Sequence, residues 1–264
     1  MKNNTVKIKF RIFRFNPSVD SSGRWDEYEL EVDKSTTILD VLLRIKEAID
    51  PTLAVRYSCR QAVCGSCGMI VNGKQRLACF TRVLELNSSI VTIEPLRNLP
   101  IIRDLVTDFS DLFKKERMVK PYVIRSDVEE ITKPTGMYLQ RPEELLEYLQ
   151  FADCIECGLC SSACPTYSTD PLFLTPMVLN KAYRFTADSR DMGLYDRFSI
   201  IDSEHGCWRC HFAAACSSVC PKGVDPAKSI QLLKKVTISA SIFNRVKKRR
   251  VELALRPHAA ESPI

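Results

Sequence analysis

Residues 154–165 read CIECGLCSSACP, and the spacing of their cysteines indicates how the second half of the chain is built. Its cysteines follow the spacing C-x2-C-x2-C-x3-C-P, which is typical of bacterial iron-sulfur proteins with two clusters. In that pattern the fourth cysteine, here Cys164, binds a different cluster from the first three. The motif therefore predicts a second, complementary run of cysteines elsewhere in the sequence.

The complementary run lies downstream, where residues 210–221 read CHFAAACSSVCP, with Ala213 at a position that should carry a cysteine. Pairing the two runs assigns a complete 4Fe-4S ligand set to Cys154, Cys157, Cys160 and Cys220. The other site receives only Cys164, Cys210 and Cys216. A cluster corner without a ligand is where an iron is lost. We therefore predict a 3Fe-4S cluster in this site, with Ala213 facing the vacant corner.

The interleaving of the two runs also limits the distance between the two clusters. Cys160 and Cys164 serve different clusters but are four residues apart in the sequence. Their Cα atoms can therefore be separated by no more than about 14 Å. The two clusters must be close neighbours, as a relay for single electrons requires.

A different cysteine spacing occurs in the first half, where residues 58–79 read SCRQAVCGSCGMIVNGKQRLAC. The spacing is that of a plant-type 2Fe-2S cluster, and the ligands would be Cys59, Cys64, Cys67 and Cys79. Gly65, Ser66 and Gly68 have small side chains that let backbone N–H groups turn towards the cluster sulfurs. A structural zinc site is the alternative, although such sites more usually show two C-x2-C pairs.

The elements around this first motif predict a β-grasp domain. Alternating apolar residues predict strands at residues 6–12, 28–32 and 90–93. A helix is predicted over residues 38–49, with Thr37 and Asp40 as its capping pair. The dipeptide Asn72–Gly73 favours a tight hairpin after the cysteine-rich loop.

Beyond residue 100 the apolar spacing changes to that of helices, with apolar residues at Ile101, Ile102, Leu105, Phe109, Leu112 and Phe113. Residues 121–142 are expected to connect this helix to another one that starts at Pro142. The fold class is therefore α+β. A β-grasp plant-type ferredoxin domain is predicted over residues 1–105, an all-α two-cluster bacterial-ferredoxin-like domain over 106–236, and a basic C-terminal tail over 237–264.

Composition narrows the functional classes. The 264 residues carry a formal net charge of +6. Six Lys and Arg residues against two Glu lie in the last 28 positions, so the rest of the chain is close to neutral and lacks a broad nucleic-acid footprint. No apolar run is long enough to cross a membrane, and the N-terminus lacks a signal-peptide pattern, so we expect the chain to stay where it is made. In that setting the cysteines favour metal ligation over disulfides.

Two further residues near the third cluster site, Cys207 and His211, each have more than one possible role. Cys207 is either a buried apolar side chain or a surrogate fourth ligand, because it forms a C-x2-C pair with Cys210. His211, next to Cys210, is more suited to carrying a proton than to binding a metal that cysteines already hold. No GxGxxG or P-loop pattern occurs, so the chain is not expected to bind a nucleotide cofactor itself.

Taken together, residues 58–79, 154–167 and 210–226 resemble the iron-sulfur subunits of succinate dehydrogenase and fumarate reductase. The similarity runs from residue 5 to about residue 235. It implies a subunit that relays electrons between a separate FAD flavoprotein subunit, where succinate and fumarate interconvert, and a quinone near a membrane-anchor subunit. It also implies the order 2Fe-2S, 4Fe-4S, 3Fe-4S from flavin to quinone, and a peripheral position on the cytoplasmic side of the cell membrane.

The resemblance further implies a quinone site beside the third cluster. By position in the family pattern its residues would be Pro165, Thr169, His211 and Lys234. Residues 164–169 read CPTYST and lack the pair of tryptophans that is usual in ubiquinone-using relatives. This departure favours menaquinone as the quinone.

Two other functions compete with this interpretation. Iron-sulfur subunits of heterodisulfide- or thiol-coupled reductases share the two-run domain, but they usually carry additional Cys-Cys-Gly motifs, and none occurs in this sequence. The second alternative is an interaction protein stabilised by zinc at the first cysteine group. Metal and acid-labile sulfide content would separate it from an electron carrier.

Overall fold

The first half of the chain folds around a mixed β-sheet in the computed structural model, which describes residues 5–242. The strands of this sheet are β1 (Val6–Arg14), β2 (Arg24–Val32), β3 (Gly68–Val71), β4 (Lys74–Leu77) and β5 (Ile90–Glu94). Their order is β2-β1-β5-β3-β4, in which β1 and β5 are parallel and the other neighbours antiparallel. The predicted hairpin of the first two strands and the predicted tight turn at Asn72–Gly73 are both confirmed.

Helix α1 (Ile38–Ala48) completes the β-grasp arrangement that the sequence predicted. Thr37 caps it through a reciprocal pair of hydrogen bonds with Asp40, which also confirms the predicted cap. The apolar face of α1 and the inward residues of β1, such as Phe10 and Ile12, lie in one buried core. The cysteine-rich loop follows α1 in the chain and leads into β3 of the sheet.

The helix predicted from Ile101 is wrong in its first part. Residues Ile101–Arg103 (β6) and Val106–Thr107 (β7) form a small hairpin, and helix α2 begins only at Ser110 and ends at Met118. The reason is a tertiary contact at the hairpin turn. Asp104 is buried in a left-handed conformation, where its carboxylate accepts the N–H groups of Phe15 and Ala54 and pairs with Arg14. This network overrides the helical spacing of the apolar side chains.

The second half is helical. Its helices are α3 (Val128–Thr132), α4 (Pro142–Leu146), α5 (Leu149–Ala152), α6 (Leu159–Ala163), α7 (Pro165–Thr169), α8 (Thr175–Thr186), α9 (Leu194–Ile201), α10 (Ala215–Ser218) and α11 (Pro226–Ile242). The helix start at Pro142 is confirmed, with the proline at the first turn. The stretch predicted as purely connecting, residues 121–142, contains the short helix α3.

Helix α11 also revises the predicted tail. The helix continues to Ile242, so residues 237–242 are helical, whereas residues 243–264, with the basic cluster Lys247–Arg250, lie outside the described residues. Within residues 5–242, none of the helices is sufficiently long and apolar to cross a bilayer. The domain boundary near residue 105, which falls in the turn of the β6–β7 hairpin, stays a prediction.

Candidate iron-sulfur cluster sites

The first cysteine group lies in a loop whose backbone amides face the sulfur atoms. Arg60, Ala62 and Gly65 all have positive φ angles, which turn successive N–H groups inward. Sγ of Cys59 accepts hydrogen bonds from the amides of Val63 and Cys64 at 3.3 and 3.2 Å. Sγ of Cys79 accepts one from Ala62 at 3.3 Å. The loop is therefore preformed to stabilise negative charge on sulfur.

The thiols of this group differ in their surroundings. Cys64 is exposed, and hydrogen bonds from the Ser66 hydroxyl and the Cys59 amide lower its pKa to about 6. Burial raises the pKa of Cys67 to about 12. A metal ion must displace that proton on binding, so the buried thiol is a ligand only when iron charge compensates it. Exposed and buried ligands in one loop fit a cluster at the edge of the domain.

The second group converges on one cavity of the helical half. Its cysteines are Cys154, Cys157, Cys160 and Cys220, the set predicted for the 4Fe-4S cluster. The remaining wall is apolar except for Asn180 and Lys222, and includes Leu159, Met177 and Val224. Burial raises the pKa of Cys157 to about 12 and also raises the pKa of Cys160. A dry cavity with thiol ligands of this kind fits a cluster better than a solvated ion site.

The third group contains Cys164, Cys210 and Cys216. Burial raises the pKa of Cys216 to about 11, and the charges of Cys164 and Cys210 act in the same direction. The Phe212 amide donates a hydrogen bond to Cys210 Sγ at 3.4 Å. Ala213 is exposed in the loop between Cys210 and Cys216. Three thiols from separate segments therefore meet at this site beside an alanine.

Cys207 occupies a different position from these ligands. It is fully buried in the 3-10 turn Cys207–Arg209. Burial raises the pKa of its thiol to about 11, and its side chain forms a hydrogen bond with Thr237 of α11. This contact favours the first of the two alternatives for Cys207, a buried packing residue.

Buried polar atoms without partners mark the space between the second and third groups. The hydroxyls of Ser161 and Ser162, between Cys160 and Cys164, have no hydrogen-bond partner among residues 5–242. Hydroxyl groups can donate to cluster sulfurs, so a bound cluster would supply the missing acceptor. In the same part of the chain no three His, Cys, Asp or Glu side chains converge on a single ion, and a cluster places its thiolates on different irons.

The three cysteine groups follow one another in space, and residues of the first half contact the segments that carry the second and third groups. Gly65 of the first loop lies so close to Cys157 that an added Cβ atom would be 2.8 Å from the Cys157 Cβ. Asn98, at the end of the first half, donates its side-chain amide to the carbonyls of Ser161, Ser162 and Cys164 at 3.1 to 3.3 Å. The first half thus fixes the turn that carries predicted ligands of both later groups. Sequence reasoning missed Gly65 and Asn98 in these roles.

The structure places the four residues implied for quinone binding around the third group. Pro165 and Thr169 are exposed on α7, which starts directly after Cys164, and His211 is exposed after Cys210. The Lys234 ammonium donates to the Cys210 carbonyl at 2.9 Å and lies 5.8 Å from the centre of the Trp208 ring. Among residues 5–242, no hydrogen bond or ion pair joins Pro165 or Thr169 to His211 or Lys234.

Two residues near this surface, Asp170 and Gln231, were not predicted. Asp170, at the end of α7, accepts hydrogen bonds from His205 and Arg209 and so ties α7 to the segment before Cys210. The amide nitrogen of Gln231 is buried without a partner in the described residues, one turn before Lys234 on α11. Its position three residues before Lys234, the spacing of neighbours on one face of a helix, is the signal that could have found it.

Comparisons with known proteins agree with this geometry. Residues 9–114 match the family described as a 2Fe-2S iron-sulfur cluster binding domain, and residues 150–224 match the family described as a 4Fe-4S dicluster domain. The chain is 42% identical over 228 residues to the fumarate reductase iron-sulfur subunit of Mycobacterium tuberculosis, which covers 86% of this chain and 92% of the relative. Identity to the succinate dehydrogenase iron-sulfur subunit of Paracoccus denitrificans is 35% over 232 residues, with 87% and 88% covered.

A solved structure shows the same fold. A chain of the Mycobacterium smegmatis Sdh1 complex in the apo form superposes with a TM-score of 0.80 at 28% identity, over 89% of this chain and 97% of that one. This similarity confirms the predicted α+β class, a 2Fe-2S domain followed by a dicluster domain. The chain belongs to the family of iron-sulfur subunits of fumarate reductase and succinate dehydrogenase.

Proposed function

We propose that this chain relays electrons between FAD on a separate flavoprotein subunit and a membrane quinone, through a 2Fe-2S, a 4Fe-4S and a 3Fe-4S cluster. Such clusters supply one-electron transfer when they are bound. The observation that carries the proposal is the unbroken contact from Gly65 to Cys157 and on through the turn between Cys160 and Cys164. Each ligand set lies against the next, which is the arrangement that a relay needs.

The ligands follow the three cysteine groups. The 2Fe-2S site uses Cys59, Cys64, Cys67 and Cys79, the 4Fe-4S site uses Cys154, Cys157, Cys160 and Cys220, and the 3Fe-4S site uses Cys164, Cys210 and Cys216. Only three thiols meet in the last group, with Ala213 in the loop where a fourth would stand, and this supports the three-iron form. The contact of Cys207 with Thr237 supports leaving Cys207 out of the set.

The quinone, which we expect to be menaquinone, would bind on the exposed side of the third site. Pro165, Thr169 and His211 offer an accessible surface there, and Lys234 brings a positive charge to the Cys210 carbonyl. Quinone reduction consumes protons, and the exposed imidazole of His211 is a group that can accept and donate a proton. The same side of residues 106–236 would face the membrane anchor on the cytoplasmic side of the membrane, while residues 1–105 would dock the flavoprotein.

Metal analysis with electron paramagnetic resonance (EPR) tests this function. We expect iron and acid-labile sulfide in the amounts of one 2Fe-2S, one 4Fe-4S and one 3Fe-4S cluster. Succinate should reduce the clusters in the complex with the flavoprotein. Zinc without labile sulfide would instead indicate an interaction protein, and reduction by a dithiol but not by succinate would indicate a thiol-coupled reductase.

A further inference from the structure

A charged side-chain pair lies against the ligand loop of the second cysteine group. Glu156 stands between Cys154 and Cys157 in a left-handed conformation, with φ at 57°. Its carboxylate forms an ion pair with Lys181 of α8. The pair is held in a protected position, since the two side chains are only 33% and 17% exposed. Charges in such a place are screened by solvent far less than surface charges are.

Glu156 and Lys181 both lie close to the predicted ligands of the second cluster. Glu156 lies between the predicted ligands Cys154 and Cys157, and its ion pair holds the Lys181 ammonium beside the same loop. Lys181 follows Asn180, which lines the cavity of this group. Charged groups placed this close to the ligands of a cluster also change the electrostatic potential at the cluster itself.

A second glutamate, Glu116, helps to hold Glu156 in place. Glu116 of α2 is buried, shares a hydrogen bond with Glu156 and has a raised pKa, first because of burial and then because of the Glu156 charge. Lys181 acts in the opposite direction on the same group. Glu156 is thus held between a buried carboxyl group and an ammonium group.

We infer that the Glu156–Lys181 pair sets the reduction potential of the second cluster, with Lys181 raising it and Glu156 lowering it. Reduction adds an electron to the cluster. A nearby positive charge stabilises this more negative state, and a nearby negative charge destabilises it. The inference rests on the proposed function, because it requires a redox cluster on Cys154, Cys157, Cys160 and Cys220. Neither residue is a ligand; both act on the cluster through their charge.

The test is a redox titration of the second cluster in the native complex, followed by EPR, for a set of charge variants. Lys181→Met should lower the midpoint potential, and Glu156→Gln should raise it. The double variant should return close to the wild-type value, because it removes both charges together, and Lys181→Arg should remain at that value. The matched control is Lys120→Met, which removes a lysine from the exposed Lys120–Asp196 ion pair and should shift nothing.

The midpoints of the first and third clusters serve as an internal reference, and iron content shows whether a variant has kept its clusters. Equal midpoints in all the variants would overturn the inference. Equal shifts at all three clusters would also overturn it, because they would indicate a general loss of structure. If the wild-type complex gives no 4Fe-4S signal at all, the proposed function itself fails. A present signal that does not move refutes only the role of the charge pair.

Discussion

Gly65 gives the sharpest test of the contact between the first and second cluster sites. An added Cβ atom there would lie 2.8 Å from the Cβ and 2.9 Å from the Cα of Cys157, and 3.0 Å from the Ile155 carbonyl oxygen. Carbon atoms pack at about 3.5 to 4.0 Å, so the loop and the ligand would have to separate by about 0.7 Å or more. The obstructing atoms are close to the backbone, which cannot rotate away. Gly65→Ala should therefore disturb both sites at once.

The expected magnitude has two parts. Gly65 has a φ of +72°, where alanine costs about 1 to 2 kcal/mol relative to its preferred conformation. Overpacking adds about 1 to 3 kcal/mol. Gly73 is a matched control, because its φ is +74° but its Cβ position has no atom within 4 Å. Gly73→Ala should cost the conformational part alone, so the difference between the two variants isolates the clash.

The assay is denaturant-induced loss of the visible absorbance of the clusters, measured for both variants together with iron content. Gly65→Ala should lose its clusters at clearly lower denaturant than Gly73→Ala. It should also slow the reduction of the second cluster by succinate, since the two ligand sets no longer meet closely. Equal stability of the two variants, with unchanged reduction of the second cluster, would refute the contact that underlies the relay.

Three further predictions concern the third site and the core. Ala213→Cys should complete a 4Fe-4S cluster and remove the three-iron EPR signal, whereas Cys207→Ser should retain that signal; a three-iron signal that appears only in Cys207→Ser would make Cys207 a ligand. His211→Ala should slow quinone-linked turnover and leave succinate-driven dye reduction unchanged, and equal loss in both assays would contradict its role at the quinone. Arg197→Met leaves the buried Asp191 carboxylate unpaired and should destabilise the chain by about 3 to 5 kcal/mol in denaturant unfolding, where a change under 1 kcal/mol would contradict the ion pair.

The cluster motifs could be predicted from sequence because most ligands of a cluster come from one short loop. The C-x4-C-x2-C spacing at Cys59 constrains the chain locally, and the observed turn amides around Cys59 Sγ follow from it. The β-grasp elements were predictable for a similar reason, since Thr37 and the Asn72–Gly73 turn act within a few residues. Periodicity and motif spacing therefore predict interactions between residues that are close in the sequence.

Contacts between segments far apart in the chain could not be predicted from periodicity and spacing. The apolar spacing at Ile101 indicated a helix, but a hairpin formed because Asp104 pairs with Arg14, ninety residues earlier in the chain. Asn98 gives no sequence signal for its three hydrogen bonds to the turn at Ser161. Such residues are recognised only when the two halves have packed together.

The ligands also belong to the hydrophobic core, and this links cluster binding to folding. Cys160, Cys164 and Cys216 are buried in the same core as the apolar residues of both halves. Burial raises the pKa of their thiols, so the side chains remain protonated and apolar until iron displaces the protons. A bound cluster would offer sulfur acceptors to hydroxyls such as that of Ser161, which otherwise lies buried without a partner in the described part of the chain. Cluster binding would thus satisfy groups that the polypeptide alone leaves unsatisfied, so we expect occupancy of the sites and stability of the helical half to rise together.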